Sequence, residues 1–192
     1  MTELLTPPLT MPNLRAKDIQ MAASAHVSRR LLLVSGAIDV NNHAIVVHFD
    51  LPAAGIWHIV KSETNLTQLP WLTWQMTCDD DTRFSGDEQA LMVSRQFRKT
   101  FMTPDRDRIT FYDGEVRPGE AVLKMFTIEA AKKRVYLSHG RFTPPPSDVP
   151  GVEPQQPSQP SQKYAAEIRK VVENGMPYEP VIELAIPVTV LD

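Results

Sequence analysis

Arg30-Leu31-Leu32-Leu33-Val34-Ser35-Gly36-Ala37-Ile38, then Asp39-Val40-Asn41-Asn42, then His43-Ala44-Ile45-Val46-Val47-His48-Phe49 is the stretch that decides the fold of this chain. Two β-rich runs flank an Asn/Asp turn, which is the pattern of a hairpin. Leu51-Pro52-Ala53-Ala54-Gly55 is a second turn, and Ile56 to Lys61 reads as a third strand. Trp71 to Cys78 alternates. Leu72, Trp74, Met76 and Cys78 share one face, while Trp71, Thr73, Gln75 and Thr77 share the other. Period two with one mostly polar face predicts a half-buried strand that ends at Asp79-Asp80-Asp81.

Helical signals follow. Ser85-Gly86-Asp87-Glu88 fits a capping box. Ala90, Leu91, Val93 and Phe97 supply an apolar stripe, and Arg95, Arg98 and Lys99 suit the negative end of the helix dipole. The expectation is one helix running to about Lys99, ahead of Pro104. Ala16 to Ala25 is expected to form a second, short helix. Arg108 to Tyr112, Val122 to Ile128 and Arg134 to Ser138 read as strands. Turns at Asp113-Gly114 and 129–133 would join them as an antiparallel meander. The fold class expected is therefore α+β: a mainly antiparallel, barrel-like sheet with one packed helix, spanning residues 26–141.

Both flanks have a different composition. The chain carries 17 prolines against 8 glycines, the reverse of average usage. Pro7, Pro8 and Pro12 punctuate an N-terminal arm, residues 1–25, that also carries Leu4, Leu5, Leu9, Met11 and Leu14. Proline keeps such a segment extended, and the large apolar residues give it something to bury. Residues 142–162 are a Pro/Gln/Ser linker with Pro144, Pro145, Pro146, Pro150, Pro154, Pro157 and Pro160. In polyproline II form, roughly 20 residues at about 3.1 Å each reach on the order of 60 Å. Residues 163–192 then predict a helix and a strand. Tyr164, Ile168, Val171 and Val172 are at helical spacing before Gly175, and Ile182, Leu184, Ile186, Val188 and Val190 form one alternating apolar face. Pro187 removes a ladder donor, so this strand belongs at an edge, or in an arm that adds to another sheet.

Composition limits function. Lys plus Arg number 20 against 23 Asp plus Glu, a formal charge of −3, which disfavours a general nucleic-acid binder. A single cysteine, Cys78, excludes an internal disulfide and a thiolate metal cluster. The N-terminus lacks the pattern of a secretory leader, and no apolar run approaches the roughly 20 residues that span a bilayer. The expected setting is a virion or the cytoplasm, with no membrane contact. His26, His43, His48, His58 and His139 make no HExxH or H-x-H pair. The three consecutive aspartates cannot all converge on one cation and read as a solvated turn. No phosphate loop, nucleophile elbow or dinucleotide fingerprint occurs, so neither an enzyme, a metal nor a cofactor is expected.

The terminal segments carry the functional expectation. Each has an apolar face that can dock on its own domain or on a neighbour, by strand addition or arm exchange. This predicts a non-enzymatic structural subunit of a large assembly, most concretely a phage capsid or tail protein. Its partners would be other protein subunits, copies of itself included. The contact residues would be Leu4, Leu5, Leu9, Met11, Leu14, Tyr164, Ile168, Val172, Ile182, Leu184, Ile186, Val188 and Val190. The alternative is a single-stranded nucleic-acid-binding accessory protein, with Trp57, Trp71 and Trp74 stacking on bases and Lys61, Arg95, Arg98 and Lys99 as a basic rim. The linker resembles in composition the tails of bacterial single-stranded DNA-binding proteins. Those tails finish in an acidic-hydrophobic tip, whereas this one leads to an apolar strand.

Overall fold

Alternation, rather than helical spacing, governs the computed structural model, which describes residues 19–39, 44–140 and 181–192. Among the described residues thirteen strands appear in order. They are β1 (Ile19–His26), β2 (Leu31–Ile38), β3 (Ala44–Asp50), β4 (Gly55–Asn65), β5 (Trp74–Cys78), β6 (Thr82–Phe84) and β7 (Val93–Ser94). Then follow β8 (Phe97–Met102), β9 (Arg108–Gly114), β10 (Ala121–Ala130), β11 (Arg134–Gly140), β12 (Val181–Ala185) and β13 (Val188–Val190). A seven-stranded sheet has the order β13-β1-β2-β4-β10-β6, with β7 also on β10. A six-stranded sheet has the order β12-β3-β11-β5-β9-β8. Antiparallel pairs predominate, and β1–β13, β2–β4 and β3–β12 are parallel. The sheets face each other across one core, to which Met21, Leu32, Trp57, Ile59, Phe126 and Ile128 contribute from one side and Ile45, Phe49, Trp74, Ile109, Phe111 and Leu137 from the other.

The expected α+β class is corrected to all-β: no helix occurs among the described residues, and neither sheet closes into a barrel. Over residues 85–99 local hydrogen bonds win over the helix. Ser85 Oγ accepts from the Asp87 amide (3.1 Å), and Asp87 Oδ1 accepts from the Gln89 amide (2.9 Å). Such side-chain-to-backbone turns offer the chain an alternative to helical bonding. The stripe then splits: Phe97 enters the core, while Leu91 and Val93 face solvent and β7 pairs with β10. The helix expected over Ala16 to Ala25 is strand β1 from Ile19 onward. Met21, Ala23 and Ala25 alternate inward, and β2 and β13 flank it. The helix expected over 163–174 lies outside the described residues.

The turn readings need a second correction. Residues 30–49 are not a hairpin, because β2 lies in the seven-stranded sheet and β3 in the six-stranded one. Nor are β9, β10 and β11 a meander, because successive strands alternate between the sheets, and Asp113-Gly114 is the end of β9, paired with β8, rather than a hairpin turn. Real hairpins join β1 to β2 and β8 to β9, with left-handed Arg30 (φ 50°) and Arg106 (φ 60°) in their turns. Strand β5 is buried on both faces rather than half-buried, with Gln75 donating to Thr110 at 2.9 Å. In β2, Gly36 permits the close approach of β1, since a Cβ there would lie 2.1 Å from the Gln20 carbonyl oxygen.

The C-terminal segment divides at Pro187 and serves both sheets. Strand β12 adds to β3 at the edge of one and β13 to β1 at the edge of the other. Between them the Ile186 amide donates to the His48 carbonyl (2.8 Å), and the Pro187 carbonyl accepts from the Ala23 amide (3.0 Å). Beyond β13 the Leu191 amide donates to the Ala25 carbonyl (3.0 Å). The sheets thus draw on residues on both sides of the 26–141 span.

Candidate functional site

Period two in β4 sends Trp57, Ile59, Lys61, Glu63 and Asn65 to the core face, and in β10 it sends Val122, Lys124, Phe126 and Ile128 there. The register sets Lys61 directly opposite Lys124, and Glu63 opposite Val122. Lys61, Glu63, Lys124 and His139 of β11 are all 0% exposed. Two cations facing each other across a strand pair repel, and each buried ion loses several kcal/mol of hydration. Glu63 answers both problems. Its Oε1 accepts from Lys61 Nζ and its Oε2 from Lys124 Nζ.

The opposite sheet completes the enclosure. Lys61 Nζ lies 2.7 Å from His139 Nε2. Lys124 Nζ sits 3.9 Å from the Trp74 ring centre and also donates to the Val122 carbonyl at 3.2 Å. The Trp74 ring is 5.2 Å from that of His139 and 5.5 Å from that of Trp71. A cation over a desolvated indole face gains up to about 2 kcal/mol. Burial pushes the pKa of both lysines well below the ordinary lysine value, and for Lys61 the charge of Lys124 pushes the same way. The result is two amines, one carboxyl and one imidazole gathered in an interior lined by aromatic rings.

Two surface features lie on the seven-stranded sheet. Leu33, Val60, Met125 and Val93 line up across β2, β4, β10 and β7 on its outer face. Leu33, Met125 and Val93 are exposed. Beside this row, Ile56, His58, Ser85, Arg106, Thr127 and Glu129 line a depression of about 330 Å³. Its polar groups bond to one another: His58 Nδ1 is 3.0 Å from Thr127 Oγ1, and Arg106 pairs with Glu129 at 2.8 Å.

The residues singled out from sequence fall in different places. Leu4, Leu5, Leu9, Met11, Leu14, Tyr164, Ile168 and Val172 lie outside the described residues, as does His43. Ile182 belongs to β12. Leu184 and Ile186 are buried in their own chain's core, Val188 packs against it, and Val190 is exposed. Trp57, Trp71, Trp74 and Lys61 are buried, so the proposed stacking platform has no open ring face; Arg95, Arg98 and Lys99 are at the surface. Asp79 caps its turn by accepting from the amides of Asp81 (3.1 Å) and Tyr136 (3.3 Å), and Asp81 pairs with Lys132 at 3.1 Å. Burial raises the pKa of Asp79 somewhat, and pushes that of the Cys78 thiol well up. Among the described residues no group of three or more His, Cys, Asp or Glu side chains is placed to hold a metal ion, and no helix is long and apolar enough to cross a membrane.

Sequence reasoning missed the interior cluster as a unit. A signal for it exists in β4, where Trp57 and Ile59 set the inward phase and Lys61 and Glu63 continue it. No curated protein and no solved structure matches the chain. Residues 21–192 match a family described as a family of unknown function (DUF6423), and the chain belongs to that family.

Proposed function

We propose that the chain is a non-catalytic assembly subunit that interlocks with copies of itself by exchanging its C-terminal segment. The observation that carries this reading is the double seam. Residues 181–192 form an edge strand of both sheets at once and contribute Leu184 and Ile186 to the core. Residues 141–180, with their run of prolines, separate this segment from β11 in the sequence. The same backbone ladder is satisfied whether the segment comes from the same chain or from a neighbour, which is the basis of strand exchange. The exposed row of Leu33, Met125 and Val93, which starts at Leu33 beside β1 and runs away from the seam, offers a neighbouring copy apolar surface.

Register provides the test. Ser24 and Thr189 are partners across β1 and β13. In a Ser24→Cys, Thr189→Cys double variant, oxidation after assembly locks the segment wherever it sits. Covalent dimers and ladders on a non-reducing gel are the expected outcome. A product made only of internally linked monomers, at every protein concentration, overturns exchange.

A further inference from the structure

The interior cluster holds more ionisable groups than packing requires. Lys61, Glu63 and Lys124 are fully buried, and each oxygen of the single carboxylate has its own amine. Glu63 and Lys124 are diagonal neighbours on the inward faces of β4 and β10, so a link between them would tie two strands together. We propose that this is a site of self-modification, at which Glu63 and Lys124 condense into an amide bond between Glu63 Cδ and Lys124 Nζ.

The reaction balances with the groups present. Lys124 enters as an ammonium and Glu63 as a carboxylate. In a dry interior the charged pair loses its hydration, which favours transfer of one proton from Nζ to Oε2 and leaves an amine beside a carboxylic acid. The Nζ lone pair attacks Cδ and forms the C–N bond. The Cδ–Oε2 bond breaks, and Oε2 departs with two of the three ammonium protons as one water. Oε1 remains as the amide oxygen. No oxidant, metal or second substrate is consumed.

The surroundings speed this step. Lys61 donates to Oε1, the atom on which negative charge grows during attack, and a donor in a water-poor site stabilises such charge strongly. Holding amine and carboxyl in contact removes the entropic cost of bringing them together, an advantage equivalent to effective molarities of about 10⁵–10⁸ M. The Trp74 face over Lys124 fixes the position of that nitrogen. Lys61 is the less suited nucleophile. It lies two residues from Glu63 on the same strand, and its Nζ is already shared with His139 Nε2 at 2.7 Å. Condensation also removes two of the three buried charges.

Intact mass spectrometry of the folded, purified full chain, followed by denaturation and digestion, tests this directly. The expected chain is lighter by the mass of one water, and the digest contains a branched species joining the Glu63 peptide to the Lys124 peptide. A Lys124→Met variant is expected to show its full mass. A wild-type chain at full mass overturns the proposal, and so does a branch that maps to Lys61. The wild-type measurement decides the matter even if the variant fails to fold.

Discussion

Strands β4 and β10 are paired over ten positions, and the two halves of that pair face the core with opposite chemistry. Toward the β10 C-terminus, Trp57 stands opposite Ile128 and Ile59 opposite Phe126, with Phe84 edge-on to Phe126 at 5.8 Å between ring centres. Toward its N-terminus, Lys61 stands opposite Lys124 and Glu63 opposite Val122. Both halves are fully buried. The apolar half is held by area removed from water, which is non-directional and roughly additive. The charged half is held by a few directed contacts centred on one carboxylate. The first should tolerate small changes, and the second should fail when its centre is removed.

The largest expected effect comes from Glu63→Leu. It keeps the volume roughly constant but leaves Lys61 and Lys124 facing each other without a counter-charge. Removing one partner of a buried ion pair costs about 3–5 kcal/mol, read as a lower midpoint in urea unfolding. Lys61→Met and Lys124→Met added to that change are expected to recover the part of the loss that comes from uncompensated charge, because an apolar replacement of a whole buried network is near neutral. The pH dependence has a definite sign. Burial lowers the pKa of both lysines in the folded chain, whereas the unfolded chain keeps them protonated up to about 10.4. The unfolded state therefore binds more protons, and the stability of Glu63→Leu should rise with pH through that window. A Glu63→Leu chain as stable as wild type at neutral pH breaks the contrast between the two halves.

Ile59→Val probes the other half and should cost about 0.5–1.5 kcal/mol, since it removes one methylene from a packed position opposite Phe126. The shift should be the same at acidic and alkaline pH, because the change removes an uncharged methylene from a position paired with Phe126. A pH-dependent penalty would mean that the apolar half is coupled to the charged one, and that the division is too sharp.

Much of this architecture can be read from residues, and the part that cannot has a physical cause. Alternation at 31–38, 44–50 and 121–130 marks strands, because period two is a local property. Asp113-Gly114, which reads as a turn, ends strand β9 in pairing with β8. Turn chemistry at 129–133 marks a reversal, but a reversal to the next strand and a reversal to the opposite sheet use the same residues. Which occurs is decided by distant partners, such as Leu31 with His58 in the parallel β2–β4 pair. The capping-box residues at 85–88 support both a helix start and the turn that is found, and β10 decides between them by pairing with β7. In the C-terminal segment the apolar face of Leu184 and Ile186 is legible, while its division between two sheets at Pro187 depends on where β1 and β3 lie. For the interior cluster, half the information is local. Lys61 and Glu63 fall on the inward phase of β4, but Lys124 and His139 come from strands about 60 and 76 positions beyond Glu63 and meet it only through the β4–β10 register and the facing sheet.

The smallest expected effect concerns a carboxylate at the surface, in contrast to Glu63 within. The Asp192 side chain accepts from the Val27 amide at 2.7 Å and from Ser28 Oγ at 2.6 Å, fastening the C-terminal segment to the β1–β2 turn. Its pKa is lowered, chiefly by the Ser28 hydroxyl, with the Val27 amide and His26 acting in the same direction and burial opposing them. A depressed folded pKa means the contribution is fully present above the unfolded value of about 3.9 and is lost as pH falls through the lower, folded one. The group is in water, so the effect should be confined to the seam and leave global unfolding nearly unchanged. Amide exchange reads it locally. After correction for intrinsic rates, protection of the Leu191 amide should drop below about pH 4 in the wild type. In Asp192→Asn it should be lower throughout and flat across that range. Equal protection in both proteins at every pH would show that the backbone ladder alone holds the seam, and that only the interior carboxylate has structural weight.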